Sequence, residues 1–325
     1  MIVPPQSLRL AIVSSAYNEE ENIEPLYAEC INAVSDFQRA FPHINLSWRL
    51  ILVDNCSQDS TSEKIINLAR IDSRIFGFRN LRNYGPEPSF VHGLRQVNDA
   101  DVVILLCADL QDPPGFALKL LEKFLADADG CDAVLASKAR SVGSGVVRAC
   151  RRLYYWLLDF SNRDHNVVPG YHGFGCYHQR VIDQALWFWD NTTMNMRACL
   201  TSASSCPKIL FYDQPSRVAG ASSYSFRGYF EEASTAIFSG KSIASRVTLR
   251  TGILGVLFAF VIVIFMLVNK LSGQSGYASG VVTLALLVIL SSSIQVIMLS
   301  LVSRQIEFQK SAIFRPQVQS RSLLG

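Results

Sequence analysis

Short apolar runs recur along the first 110 positions, and each stops abruptly at polar residues. Leu10-Ala-Ile-Val13 gives way to Ser14-Ser-Ala-Tyr-Asn-Glu-Glu20, and Leu50-Ile-Leu-Val53 to Asp54-Asn-Cys-Ser-Gln-Asp59. A shorter run near 75–79 leads into Asn80-Leu-Arg-Asn-Tyr-Gly85, and Val102-Val-Ile-Leu-Leu106 into Cys107-Ala-Asp-Leu-Gln-Asp-Pro-Pro114. Unbroken apolar runs of strand length, bounded by turn residues, read as parallel strands buried on both faces. The pattern predicts strands near 9–14, 49–54, 75–79, 102–107 and 132–136. Between them it predicts helices near 20–40, 60–72, 87–98, 115–127 and 180–188. Such alternation implies an α/β class: a mostly parallel sheet flanked by helices.

After residue 250 the pattern changes. Gly252 to Val268 carries no charged or strongly polar side chain, and Gly280 to Val302 is interrupted only by hydroxyls and Gln295. About 20 apolar residues cross a bilayer core, so 251–303 reads as a two-helix transmembrane hairpin. Gln295 suits a hydrogen bond between its helices. Arg246 and Arg250 precede the hairpin, Arg304, Lys310, Arg315 and Arg321 follow it, and Lys270 is the one charge in its connection. Positive charge stays cytoplasmic, which places 1–223, the tail 304–325 and both ends of the hairpin on that side. The alternative is a pair of buried helices in a soluble core. Between domain and hairpin, 224–250 mixes Phe226, Tyr229, Phe230, Ile237 and Phe238 with Arg227, Lys241 and Arg246. That mixture suits amphipathic juxtamembrane helices lying in the interface, or helices packed on the domain.

Composition narrows the class. Mean hydropathy is +0.21, with the apolar excess after residue 250. A net charge of +3 excludes a nucleic-acid binder relying on a broad basic face. Eight cysteines stand singly at 30, 56, 107, 131, 150, 176, 199 and 206, so no C-x-x-C spacing indicates a zinc site or a disulfide framework. Unpaired thiols fit a reducing cytoplasm. Only Leu8 to Val13 is apolar near the N-terminus, with Arg9 inside it, which is too short for a signal peptide. The expected location is the inner (plasma) membrane, multi-pass, with the first 223 residues cytoplasmic.

Candidate chemistry gathers at the strand ends. In an open α/β sheet, ligands bind at the carboxyl ends of parallel strands. Asp109, Gln111 and Asp112 offer hard oxygens suited to Mg²⁺ or Mn²⁺ carrying a diphosphate. The same residues also read as an Asp-capped helix start with prolines in its first turn. Taken together and in order, the four strand-end segments resemble the family 2 glycosyltransferases of the GT-A fold, most closely the polyprenyl-phosphate (dolichol-phosphate mannose synthase-like) sugar synthases. Those carry V-I-P-x-Y-N-E-E, V-N-D-G-S-x-D, S-R-N-F-G and D-A-D-L-Q-D-P-P. The resemblance runs from about residue 10 to 316 and includes the membrane tail.

The resemblance implies roles for particular residues. Its metal positions fall on Cys107, Asp109 and Gln111. With cysteine in the first, Asp109 and Gln111 are left to hold Mg²⁺ or Mn²⁺. Its nucleotide positions fall on Ser15, Ala16, Tyr17, Glu19, Asn55 and Arg82, with Asn55 where aspartate is usual. Ser57 and Asp59 read as helix-capping residues. The family's G-D-F-R-L stretch falls on Gly170 to Tyr177, where Gly173 replaces the aspartate and Gly175 the arginine. His172 is the one side chain there whose reference pKa suits a general base, or else it packs in a Gly-rich loop. Arg217-Val-Ala-Gly-Ala-Ser-Ser223 matches R-x-x-G-x-S-K with Ser223 for lysine, leaving Arg217 as a phosphate clamp. Gly143 to Gly145, followed by Arg148, Arg151 and Arg152, reads as a lid or a solvated turn. Asp109, Asp112, His172 and Arg217 are therefore the catalytic candidates. The implied activity is inverting transfer of a sugar from a nucleotide-sugar donor to polyprenyl (undecaprenyl or dolichyl) phosphate at the cytoplasmic membrane face. Two alternatives stay open: extension of a lipid-linked saccharide for surface polysaccharide, and a degenerate protein that binds nucleotide sugar without turnover. Membrane lipids are partners in every case; homo-oligomerisation stays open.

The charge flanking yields a test. In a background lacking native cysteines, a cysteine placed at Ser275 should react with an impermeant thiol reagent in intact cells, and one at Ser320 should not. The reverse labelling pattern inverts the topology.

Overall fold

Strands whose two faces are both apolar need cover on both sides, and the computed structural model of the chain shows where it comes from. It describes residues 6–126, 130–139, 168–192, 194–215, 243–271, 279–313 and 320–322. The order is β1 (Ser7–Ala16), α1 (Glu20–Ala40), β2 (Asn45–Asp54), α2 (Thr61–Ile71), β3 (Ile75–Asn80), α3 (Pro86–Arg95), β4 (Val102–Cys107) and α4 (Pro114–Ala126). There follow β5 (Ala133–Lys138), β6 (Tyr171–His178), α5 (Gln179–Asn191), α6 (Met196–Ala203), β7 (Pro207–Tyr212), α7 (Ile243–Leu271), α8 (Ser279–Ile313) and β8 (Ser320–Ser322).

The strands form one sheet in the order β7-β5-β6-β4-β1-β2-β3-β8. β1 pairs in parallel with β2 and β4, β2 with β3, and β5 with β7. β6 lies antiparallel between β4 and β5, and β8 antiparallel on the edge of β3. The sheet is mostly parallel, as predicted, and mixed by the antiparallel β6 and β8.

Successive residues of each central strand enter opposite halves of the core. Leu10, Ile12, Leu50, Leu52 and Ile104 pack with Ile23 and Leu26 of α1 and Leu120 of α4. Ala11, Val13, Ile51, Val53 and Val103 pack with Val91 and Leu94 of α3 and Ile182 of α5. Each fully buried Leu or Ile contributes about 1.5–3 kcal/mol, so a polar residue at either parity would be expelled. That is why the runs are continuous rather than alternating.

Three strands and one helix depart from the predicted elements. The stretch 170–177, read as a Gly-rich loop, falls almost wholly within β6 (Tyr171–His178). Gly173 and Gly175 break up its apolar content, so no run marks it, yet it is paired on both edges. α6, β7 and β8 are likewise unannounced by the apolar pattern. The stretch 224–242, Gly143 to Gly145, Arg217 and Ser223 lie outside the described residues.

In the tail, α7 and α8 pack along one another. A methyl added at Gly252 would come within 2.5 Å of Ile297 Cγ1, and one at Gly255 would collide with Ser293 Oγ. Small residues thus set the approach of the two backbones. The outer faces carry Leu254, Leu257, Phe258, Leu287 and Leu299, all exposed. Among the described residues one helix is long and apolar enough to cross a membrane, α8 over Leu286–Ser303; α7 contributes the shorter apolar stretch Arg250–Phe265. Beyond α8 the chain returns to the sheet, where Ser320–Ser322 pair with Asn80–Phe78.

This close approach predicts a compensating pair. Gly255→Ala should destabilise the helix pair by about 1–3 kcal/mol through overpacking. Adding Ser293→Ala, which deletes the colliding hydroxyl, should restore part of the loss. Thermal unfolding of the detergent-solubilised single and double variants reads both effects, and strict additivity would place the helices farther apart.

Candidate active site

Asp112 is the organising side chain. It sits in the turn between β4 and α4, 1% exposed. Three groups from three strands donate to its carboxylate. His172 Nε2 of β6 lies 2.9 Å from Oδ1 and 3.1 Å from Oδ2. The Tyr212 hydroxyl, at the end of β7, donates to Oδ1 at 2.8 Å, and the Cys107 backbone N–H, at the end of β4, to Oδ2 at 3.2 Å. Burial alone would push this carboxyl up. The His172 charge and hydrogen bonds from His172, Tyr212 and Cys107 outweigh it and hold the group below the usual carboxylate range. Burial, then the charge of Asp112, pushes the Tyr212 phenol far up, so it stays a donor. Burial and the neighbouring Asp112 and Asp109 likewise raise the Cys107 thiol.

With Nε2 facing Asp112, Nδ1 is the second ring nitrogen of His172. That atom is buried and has no hydrogen-bond partner among the described residues. Asp109 is 8% exposed, and its Oδ1 accepts from the Gln111 backbone N–H at 3.2 Å, which tightens the turn that carries both. Gly173, at the position of the family's aspartate, has φ +114°, a backbone that favours glycine.

A cleft opens beside this cluster. Its lining includes Cys107, Asp112 and His172, the apolar Phe90, Leu105 and Leu200, and Glu87 and Arg197, which pair at 3.7 Å. Reasoning from sequence missed Tyr212, Glu87 and Arg197. Tyr212 stands 100 residues from its partner at the end of an ordinary apolar stretch, and no local signal marks it.

The nucleotide candidates sit at the ends of β1, β2 and β3. Ser15 pairs with Cys107 and Val53 across the sheet, and Ala16 with Asp54. Two loops, 17–20 and 57–61, are stitched together: Asn18 N–H donates to Ser57 Oγ at 2.9 Å, Gln58 N–H to Asn18 Oδ1 at 2.9 Å, and Glu19 N–H to Thr61 Oγ1 at 2.9 Å. Asp59 accepts from the N–H groups of Thr61 and Glu20 at 3.0 and 3.2 Å. Tyr17 is half-buried on this edge. Asn55 is 4% exposed, and its amide holds the following loop. It accepts from Asn80 Nδ2 and Tyr84 N–H, both at 3.0 Å, and donates to Asn83 Oδ1 at 2.8 Å. Arg82 is exposed on that loop, its guanidinium 4.8 Å from the Tyr84 ring centroid. Beneath lies Asp54, fully buried, accepting from Ser57 N–H at 2.9 Å and from Ser62, with Arg79 Nε at 3.5 Å. The structure therefore brings Asp109, Gln111, Asp112 and His172 to one end of the sheet. It sets Ser15–Glu19, Asn55 and Arg82 beside them.

A sequence profile, Glycosyl transferase family 2, matches residues 11–186. The chain belongs to glycosyl transferase family 2, and it is a glycosyltransferase. This family 2 chain is 25% identical to the bactoprenol glucosyl transferase of Shigella phage SfV over 86% of its own length and 88% of the relative's. It is 30% identical to the undecaprenyl-phosphate 4-deoxy-4-formamido-L-arabinose transferase of Salmonella choleraesuis over 35% of this chain and 33% of that one. Among solved structures, S. aureus TarS in complex with UDP-GlcNAc covers 72% of this chain and 66% of its own at a TM-score of 0.45 and 16% identity.

The depressed pKa of Asp112 carries a pH signature. A carboxyl that titrates lower in the folded than in the unfolded chain stabilises the fold above the ordinary carboxylate value of about 3.9 and loses that contribution as pH falls through its folded value. Tyr212→Phe removes one donor to the ionised form. At neutral pH the variant should lose about 1.5–3 kcal/mol, the range for hydrogen bonds to charged groups, and the gap should narrow as the medium is acidified below pH ~4. Unfolding curves of both proteins across that range check it; a pH-independent gap would assign the hydroxyl to packing instead.

Proposed function

We propose that this transferase moves a sugar from a nucleotide-sugar donor to a polyprenyl phosphate at the cytoplasmic face of a membrane, with inversion at the anomeric carbon. The observation that carries the reading is the state of Asp112. It is held ionised, both oxygens already accept hydrogen bonds, and Gly173 supplies no carboxylate in the next strand. A sugar hydroxyl needs a base of raised pKa to take its proton. A phosphate acceptor is already anionic at neutral pH and needs none. The bactoprenol glucosyl transferase of phage SfV, alike over most of both chains, supports the same acceptor class.

In this reading Ser15, Ala16, Tyr17, Glu19, Asn55 and Arg82 receive the nucleotide, and Arg217 grips the diphosphate or the acceptor phosphate through its bidentate fork. The oxygens of Asp109 and Gln111 suit a hard divalent cation, Mg²⁺ or Mn²⁺, which would neutralise the departing diphosphate. His172, steadied by Asp112, lines the cleft where the acceptor oxygen meets the donor. The apolar outer faces of α7 and α8 are surfaces that lipid would cover. The pairing of β8 with β3 supports an even number of crossings, because the chain leaves the sheet before α7 and rejoins it after α8.

The His172–Asp112 hydrogen bond favours a second reading. A histidine oriented by a carboxylate is built like a general base, as extension of a lipid-linked saccharide would require.

One assay separates the two. Membranes containing the protein are incubated with radiolabelled nucleotide sugars and polyprenyl phosphate, and the organic phase is counted. Asp109→Ala and Arg217→Ala should abolish or severely reduce transfer, while His172→Gln should be mild. A loss of about 10²- to 10⁴-fold at His172→Gln, with the pH dependence flattened near neutrality, is the signature of a lost general base and moves the acceptor to a sugar hydroxyl.

A further inference from the structure

Cys107, Asp112 and His172 come from three separate places, the end of β4, the turn before α4, and β6. Yet one ligand atom of each lies within 4.8 Å of the others. No C-x-x-C spacing announces this group; the antiparallel insertion of β6 beside β4 creates it. A thiol, an imidazole and a carboxylate are the donors of borderline-soft cations, whereas Mg²⁺ selects oxygen alone. We propose that the three side chains form a binding site for a thiophilic divalent cation, Zn²⁺ or Co²⁺, with a donor set distinct from the oxygen pair Asp109 and Gln111.

The geometry is close to what such an ion needs. Zinc bonds of about 2.3 Å to sulfur and 2.0–2.2 Å to nitrogen and oxygen ask for donors roughly 3–4 Å apart, so a side-chain adjustment on the order of 1 Å completes the site. The imidazole and carboxylate already touch at 2.9 Å. Asp112 is preset from outside the site by the Tyr212 hydroxyl and the Cys107 backbone N–H, the kind of outer support that orients metal ligands. All three donors line the cleft, which leaves a fourth position open to water or an oxyanion. On binding, the thiol releases its proton to solvent, and the Nε2 proton leaves to solvent from the imidazolium, or shifts to Nδ1 in the neutral ring, so that Nε2 can coordinate. A bound ion occupies the same Asp112 and Nε2 that form the free dyad. Zinc and the free dyad therefore exclude one another.

The site stands whether or not the acceptor reading is right, because binding is read directly. The full-length protein in detergent micelles, in a Cys56→Ser, Cys150→Ser, Cys206→Ser background, is stripped with chelator and titrated with Co²⁺. A near-ultraviolet thiolate-to-cobalt charge-transfer band should grow to saturation at a single equivalent and be displaced by Zn²⁺ but not by Mg²⁺. Adding Cys107→Ser should remove the band, and His172→Gln should weaken Co²⁺ binding roughly tenfold or more, with circular dichroism showing both folded. Absence of the band at saturating Co²⁺, or its survival in Cys107→Ser, overturns the proposal. The first of these is read with Cys107 intact, so a misfolded serine variant cannot obscure it.

Discussion

A carboxylate removed from water must be met by donors, or its desolvation is unrecovered. At Asp112 that requirement draws together the end of β4, the middle of β6 and the end of β7. His172, Tyr212 and the Cys107 N–H each satisfy part of one charge, and none of the three strands can shift without uncovering it. The antiparallel insertion of β6 is what makes the convergence geometrically available. A strictly parallel continuation of the sheet would have pointed a different strand end at this position.

A second buried carboxylate organises the other half of the edge. Asp54, at the end of β2, collects Ser57, Ser62 and Arg79 beneath the loops that carry the nucleotide candidates. Above it, Asn55 spends its carbonyl and amide on Asn80, Asn83 and Tyr84, and so fixes the loop that presents Arg82. The two halves share β1 and β4 as a common floor, where Ser15 lies opposite Cys107. The candidate binding and reacting residues thereby sit at the ends of neighbouring strands, on turns and loops held by these hydrogen bonds.

The central strands were legible because double burial writes a continuous apolar run into the chain, as at Val102–Leu106. Helices α1 to α5 were legible through their spacing and through Pro114 opening α4. β6 was not, because its glycines leave only Phe174 and Cys176 as strongly apolar inward residues, and its partners are set by long-range pairing. The candidate carboxylates were visible at the end of β4. The company they keep was not: Tyr212 reaches Asp112 and Arg197 reaches the cleft by topology, and neither sits in a segment whose local pattern differs from ordinary core or surface. Cys107 looked like a lost ligand in one dimension, and only proximity to His172 gives its sulfur a partner set.

The return of the chain from α8 to β8 has a mechanical consequence. A body joined to a membrane anchor by one covalent segment can swivel about that segment and present any side to the surface. In the membrane-bound arrangement proposed above, the sheet is joined to the helix pair twice, once through the segment leading into α7 and again through β8, which pairs with β3 at the other margin. Two attachments at opposite margins remove the swivel and leave mainly a rocking motion about the line between them.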